Sequence, residues 1–202
     1  MKCLSVRQPW ADLLVRGPKD VENRSWSTTH RCWLLIHASK GKHPEEYAAA
    51  RKKCHQLGCI EELRGRSELP HGAIVGRVWL RRCDTAVSSP WHVPGQIGWY
   101  LDDWEYLETP IEYSGQLQLY DVDPAVLEGA VFINPRTGER TTYEKAAPDD
   151  RSPRPQKAGR GAARRDVHQP RPVPAAHEGA GAGGRPHGRG YEERRASAPE
   201  SE

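Results

Sequence analysis

Large apolar side chains become rare in the C-terminal part of this 202-residue chain. There the only large aliphatic residues are Val167 and Val173, and the only aromatic residue is Tyr191. Such a segment cannot bury enough apolar surface to offset the conformational entropy lost on folding. The sequence therefore predicts one folded domain over residues 1–145 and a disordered tail, rich in Arg, Gly, Ala and Pro, over residues 146–202.

Three interpretations of the tail stay open at the level of sequence. Its arginines can add non-specific affinity for nucleic acid. It can also be a solvated extension without a role. A third interpretation is that the tail is a reading-frame artefact and no natural extension of the domain.

Residues 1–145 read as many short strands with few helices. Runs rich in β-branched and aromatic residues, separated by Gly and Pro turns, are typical of strands. Pro9 and Pro44 suit the first turn of two helices. The predicted fold class is α+β, mainly β: a small, partly closed β-barrel with flanking helices. The predicted strands are 3–6, 21–26, 33–37, 73–83, 95–101, 111–113 and 117–122, and the predicted helices are 9–16 and 44–57.

The charge and the cysteine content limit the classes of protein to which this chain can belong. The net charge of +3 permits a phosphate-bearing partner but does not require one. No apolar run approaches transmembrane length, and no secretory signal is visible. The five scattered cysteines, an odd number, indicate reduced thiols. We therefore expect a cytoplasmic protein that has no membrane contact and no cofactor.

The segment from Lys19 to Trp26 carries the first candidate site. Side chains alternate between the two faces of a strand, so Glu22, Arg24 and Trp26 share one face. A carboxylate, a guanidinium and an indole together can hold a base: Glu22 accepts from an exocyclic amine, Arg24 binds phosphate or stacks, and Trp26 stacks. The alternative is a surface ion pair beside a core tryptophan.

The same segment permits a catalytic interpretation. A lysine whose pKa is lowered by burial or by a neighbouring cation can act as a base or a nucleophile. Glu22 is close enough in sequence for Lys19 and Glu22 to act as base and proton shuttle. The spacing alone favours neither interpretation.

Further candidates surround this segment. Arg7 and Gln8 stand at a predicted strand-to-helix junction, where free backbone N–H groups favour an anion. Lys40 belongs to a small basic cluster that suits phosphates, whereas His37 is expected to be structural. Cys54 and Cys59 lack the spacing of metal ligands and are interpreted as small hydrophobic residues at a helix end, so no metal is expected.

Several ordered blocks resemble the ASCH domain, the activating-signal-cointegrator homology family of the PUA-like superfamily. The resemblance covers about residues 1–122. The matching blocks are 4–11 (LSVRQPWA), 17–26 (GPKDVENRSW), 31–40 (RCWLLIHASK), 69–76 (LPHGAIVG), 98–100 (GWY) and 110–117 (PIEYSGQL).

The resemblance implies a small β-barrel with flanking helices, a cleft that holds the block from Gly17 to Arg24, and an RNA or nucleotide-like ligand. One bacterial branch looks like amidohydrolases that act on 4-acetylcytidine through a Lys, a Thr three residues later and a separate Glu. Lys19 matches that Lys, but Glu22 stands where the branch has Thr, and the separate Glu has no clear counterpart. Some members are ribonucleases, whose site does not map onto this sequence.

Three functions follow as predictions. The first is an RNA- or modified-nucleoside-binding domain with a polar, Trp-lined cleft. The second is an amidohydrolase acting on 4-acetylcytidine or a related acylated nucleoside, with Lys19 and Glu22 catalytic. The third is a protein-interaction module in transcription regulation. The predicted cleft residues are Arg7, Gln8, Lys19, Glu22, Arg24 and Trp26, with Lys40 and Trp99 at its edge.

Overall fold

An eight-stranded sheet forms the centre of the fold in the computed structural model, which describes residues 1–144. Its strands are β1 (Lys2–Val6), β2 (Val21–Arg24), β3 (Trp33–Ala38), β4 (Ala73–Asp84), β5 (Ile97–Glu112), β6 (Leu119–Asp121), β7 (Val131–Ile133) and β8 (Arg140–Thr142). The order is β6-β1-β3-β4-β5-β7-β8, and β2 pairs with β5. This confirms the mainly-β class with flanking helices, although the sheet does not close into a barrel.

Two α-helices flank the sheet, as predicted. They are α1 (Trp10–Val15) and α2 (Pro44–Leu57). Pro44 occupies the first turn of α2, where its missing N–H costs no hydrogen bond. Gly58 ends α2 in a left-handed conformation with φ 71°, which glycine adopts without a steric penalty. Three short 3₁₀ helices were not predicted: Ile60–Glu62, Arg66–Glu68 and Pro124–Leu127.

The structure joins two predicted strands, 95–101 and 111–113, into the single 16-residue strand β5. The polar residues between them hid this continuity. They are held in the sheet because β4 pairs along one side of β5, while β2 and β7 pair with successive parts of the other side. Register irregularities between β4 and β5 let these long strands bend. The three-residue strands β7 and β8 were missed altogether, because each is too short to show a pattern.

The strands β1 and β3 pair in parallel at the centre of the sheet. Their register places Ser5 opposite His37 and Val6 opposite Ala38. All six residues of β3 are buried. One face of the two strands packs with α1, while Cys3 and Leu35 belong to a second core cluster. The blocks that follow the two strands therefore emerge side by side from the same edge of the sheet.

The predicted tail lies outside the described residues. Within residues 1–144, neither α-helix has the length and apolar character needed to cross a membrane.

Candidate functional site

Three of the predicted cleft residues form a buried network of charges: Lys19, Glu22 and Arg24. Lys19 Nζ donates to Glu22 Oε2 at 2.7 Å and also to the Val21 carbonyl oxygen. Glu22 Oε1 lies 3.1 Å from Arg24 Nη2, which donates in turn to the Ser5 carbonyl oxygen at 2.9 Å. Lys19 is 4% exposed and Glu22 is 8% exposed. The network therefore ties β2 to β1 inside the domain and presents little charge to solvent.

Local backbone geometry explains this burial. Gly17 has φ 94° and lies directly against the Trp104 ring, where a Cβ would come within 1.8 Å of Trp104 Nε1. Only glycine fits such a turn. The turn reverses the chain at the end of α1, and the Lys19 N–H then donates to the Leu13 carbonyl oxygen at 3.2 Å. Along β2 the expected alternation puts Glu22 and Arg24 on one face.

The two tryptophans predicted for the cleft, Trp26 and Trp99, pack against each other. Trp99 is fully buried, and its Nε1 donates to the Trp26 carbonyl oxygen at 3.0 Å. The two indole rings meet edge to face with centroids 4.7 Å apart. The apolar rings complete the core while the indole N–H finds a carbonyl partner. Trp99 therefore does not reach the surface at which it was predicted.

Arg7 and Gln8 hold the start of α1 in place. Glu46, on α2, accepts from Arg7 Nη1 at 2.8 Å and from Trp10 Nε1 at 2.8 Å, which pins the two helices together. Gln8 is buried; its Nε2 donates to the Pro70 carbonyl oxygen at 2.8 Å, and its Oε1 accepts from the Asp12 N–H at 3.1 Å. The N–H groups at the start of α1 were predicted to attract an anion, but one of them, that of Asp12, is already hydrogen-bonded to Gln8.

A cavity of about 1070 Å³ opens where the adjacent strands β1 and β3 end, and we call it the first cavity. Lys40, predicted at the edge of the cleft, lines it. Arg24 contacts the cavity wall indirectly, because its Nη2 donates to the backbone carbonyl oxygen of Ser5, which lines the cavity. The lining residues are Ser5, His37, Ser39, Lys40, His71, Gly72, Glu112, Tyr113, Ser114, Gly115, Gln116 and Leu117.

A hydrogen-bonded pair, Ser5 and His37, lies in the wall of the first cavity. Ser5 Oγ is 3.3 Å from His37 Nδ1, and His37 Nε2 is 3.0 Å from the Tyr113 carbonyl oxygen. A carbonyl oxygen only accepts, so His37 Nε2 carries the hydrogen and Nδ1 offers its lone pair to the Ser5 hydroxyl. Burial lowers the pKa of His37 and favours the neutral ring.

A second cavity of about 590 Å³ adjoins the first, and His71 lines both. Its other lining residues are Gln8, Lys42, His43, Tyr47, Arg66, Ser67 and Leu69. We call the two cavities together the basic groove. Within residues 1–144, Lys40 and Lys42 make no ion pair. The Arg66 guanidinium lies 5.9 Å from the centre of the Tyr47 ring.

Comparison with known proteins identifies the family. A family model for the ASCH domain matches residues 4–128. The chain belongs to the ASCH domain family. Activating signal cointegrator 1 from Homo sapiens is 41% identical over 81 residues, which are 40% of this chain and 14% of that protein. Activating signal cointegrator 1 from Mus musculus is 42% identical over 82 residues, again 40% of this chain and 14% of the relative. The chain thus spans only a small part of the length of these relatives.

The ASCH domain contains groove residues that the sequence interpretation did not select. Ser5, His71, Tyr113 and Gly115 line the first cavity but come from separate segments. All four lie in blocks quoted for the family resemblance. The family resemblance therefore pointed to these segments of the sequence. Only the pairing of β1 with β3 and the return of the chain after β5 bring the four residues together in one cavity.

Cys54 lies in the last turn of α2 and Cys59 just after it, at the helix end where the sequence predicted both. Cys54 is buried beside Ala50, and burial raises the pKa of its thiol to about 12. Burial also raises the pKa of Cys59, which follows the end of α2. Among residues 1–144, no group of three or more His, Cys, Asp or Glu side chains is arranged to hold a metal ion.

Proposed function

We propose that this ASCH domain binds RNA, or a modified nucleoside within RNA, along the basic groove. The observation that carries the proposal is the meeting of the two cavities at His71, with the unpaired ammonium groups of Lys40 and Lys42 on their walls. Cationic side chains that lack a carboxylate partner are available to phosphate groups.

The size and lining of the first cavity suit a single nucleoside. Ligand pockets in proteins typically measure ~300–1,000 Å³, and the first cavity of about 1070 Å³ lies just above that range. Its side chains from Ser39, Ser114 and Gln116 carry the donors and acceptors needed to read the edge of an unstacked base.

The second cavity extends the binding surface beyond one nucleoside. Lys42 and Arg66 supply positive charge there, and the Tyr47 ring supplies an aromatic face. Alternation of cations and aromatic rings is typical of surfaces that follow a single strand. We therefore propose a single-stranded segment, with one base in the first cavity and the flanking phosphates along the second.

The buried network of Lys19, Glu22 and Arg24 supports the wall of the first cavity. Arg24 donates to the Ser5 carbonyl oxygen and pairs with Glu22, and Glu22 pairs in turn with Lys19. In this proposal these residues shape the wall of the first cavity and do not touch the ligand. Arg7 and Trp26 likewise support the fold around the groove, whereas Gln8 lines the second cavity while its amide is held by the Pro70 carbonyl oxygen and the Asp12 N–H.

Fluorescence polarisation with labelled single-stranded RNA, measured on the full chain over a series of salt concentrations, tests the proposal. Each lost phosphate contact is expected to lower the slope of log K against log salt by ~0.7. We expect Lys40→Ala and Lys42→Ala each to weaken binding and to reduce this slope. Competition with free nucleosides, including acetylated cytidine, then reports which base the first cavity accepts.

Lys52→Ala is the matched control, because Lys52 is exposed on α2 and lines neither cavity. All variants keep the same C-terminal arginines, so differences between variants report the groove alone. Equal weakening by Lys52→Ala and Lys40→Ala, or no RNA binding by the unmodified chain, contradicts the proposal.

The other two predicted functions have weaker support. Lys19 and Glu22 line neither cavity, so an amidohydrolase that uses them needs a substrate to reach a buried pair. Release of acetate from acetylated cytidine, lost in Lys19→Ala, is the result that favours it; a ribonuclease function is tested by cleavage of the same RNA. A role as an interaction module in transcription regulation stays a prediction suggested by the relatives' name, activating signal cointegrator 1.

A further inference from the structure

We propose that Ser5 and His37 form a nucleophile–base pair that hydrolyses a small acyl ester or amide bound in the first cavity. The proposal is separate from RNA binding and from the Lys19–Glu22 pair. It rests on the geometry of two side chains that share one cavity wall and on the group that orients the histidine.

The histidine is oriented for base catalysis. Its Nε2–H donates to the Tyr113 carbonyl oxygen at 3.0 Å, and this hydrogen bond leaves the lone pair of Nδ1 facing Ser5 Oγ at 3.3 Å. A nucleophile hydrogen-bonded to a base, with a third group that fixes the base, is the arrangement that activates a serine. Here a backbone carbonyl takes the place of the usual carboxylate.

The surroundings keep the histidine in its basic form. His37 is 2% exposed, and burial lowers its pKa below the usual value of 6.5. The ring is therefore neutral at pH 7 and able to accept a proton. On the other side, the Ser5 backbone is anchored by Arg24, so the hydroxyl is held at a fixed place on the cavity wall.

Gly115 closes over this pair from the loop that follows β5. A Cβ at Gly115 would lie 2.5 Å from His37 Cε1 and 2.9 Å from Ser5 Oγ, so only glycine allows the backbone this close. Of the described residues, none accepts a hydrogen bond from the N–H of Gly115 or Gln116. These N–H groups are available to a negative charge that develops on a carbonyl oxygen beside Ser5.

The reaction proceeds in two balanced steps. Ser5 Oγ attacks the acyl carbon while its proton passes to His37 Nδ1; the bond to the leaving group then breaks, and the leaving alcohol or amine takes that proton. In the second step His37 removes a proton from water, whose oxygen bonds to the acyl carbon. The Ser5 Oγ–acyl bond breaks, the proton returns to Ser5, and a carboxylic acid is released.

Labelling of the full chain with a serine-directed alkyl fluorophosphonate tests the proposal. Peptide mass spectrometry is expected to locate one adduct on Ser5, and turnover of a short-chain p-nitrophenyl ester is expected to accompany it. Ser5→Ala should lose both signals. Ser88→Ala is the control, because Ser88 is exposed and lines neither cavity.

The dependence of the labelling rate on pH identifies the base. Because neutral His37 is required, the rate should rise with pH through a midpoint below 6.5 and then stay level to pH 8. His37→Gln should lower the rate at least tenfold, with unchanged circular dichroism as the check on folding. An absence of labelling, an adduct that persists in Ser5→Ala, or a midpoint well above 6.5 overturns the proposal.

Discussion

The buried network and the basic groove use the same kinds of side chain in opposite ways. In the network, the ammonium of Lys19 and the guanidinium of Arg24 share the Glu22 carboxylate inside the domain. In the groove, Lys40 and Lys42 project from the surface without a carboxylate partner among residues 1–144. The difference separates charges that are paired inside the fold from charges that are available to a ligand.

Removal of Glu22 should have the largest effect. Glu22→Ala leaves the Lys19 ammonium buried with no counter-charge, and breaking a buried pair on one side typically costs about 3–5 kcal/mol. We expect the free energy of unfolding, measured by urea denaturation, to fall by about that amount. Glu108→Ala is the control, because Glu108 pairs with Arg140 on the surface, where little change is expected.

A double variant sharpens this test. Lys19→Met combined with Glu22→Leu removes both charges and keeps the volume similar, so the double variant should be more stable than Glu22→Ala. If it also keeps its affinity for RNA, the network acts on structure alone. Loss of RNA binding by a well-folded double variant would break the distinction between the two regions.

An intermediate effect is expected for His37, which is buried in the wall of the groove. Its folded pKa is lowered by burial, so the unfolded chain takes up a proton at higher pH than the folded domain. The stability due to neutral His37 is therefore complete above about pH 6.5 and is lost as the pH falls below that value. Urea midpoints of the unmodified chain should fall more between pH 7.5 and 5.5 than those of His37→Gln. Equal slopes would show that His37 is not the group responsible.

Substitutions of the groove lysines should have the smallest effect on stability. Substitution of an exposed side chain without partners usually changes stability by less than about 0.5 kcal/mol. Thermal unfolding of Lys40→Ala and Lys42→Ala should therefore match that of the unmodified chain, even though both variants are expected to lose affinity for RNA. A stability loss as large as that of Glu22→Ala would remove the contrast on which the comparison rests.

Local sequence signals predicted the elements with clear boundaries. α2 was predicted at 44–57 and forms there, since Pro44 and Gly58 mark its ends chemically. The sequence predicts β5 in two pieces because polar residues interrupt the apolar pattern of its middle, and only the three neighbouring strands show that it is continuous. Alternation along β2 correctly put Glu22 and Arg24 on one face but did not tell which way that face points.

The sequence by itself determined the mainly-β class, the two helices, the ASCH family and the blocks around which a site is built. Tertiary structure decided which residues of those blocks line the first cavity and which are buried. It buried Trp99 and the Lys19–Glu22 pair, and it brought Ser5 to His37 through the parallel pairing of β1 and β3. The physical reason is that burial and strand pairing depend on contacts between residues far apart in the chain, which local propensity and spacing do not encode.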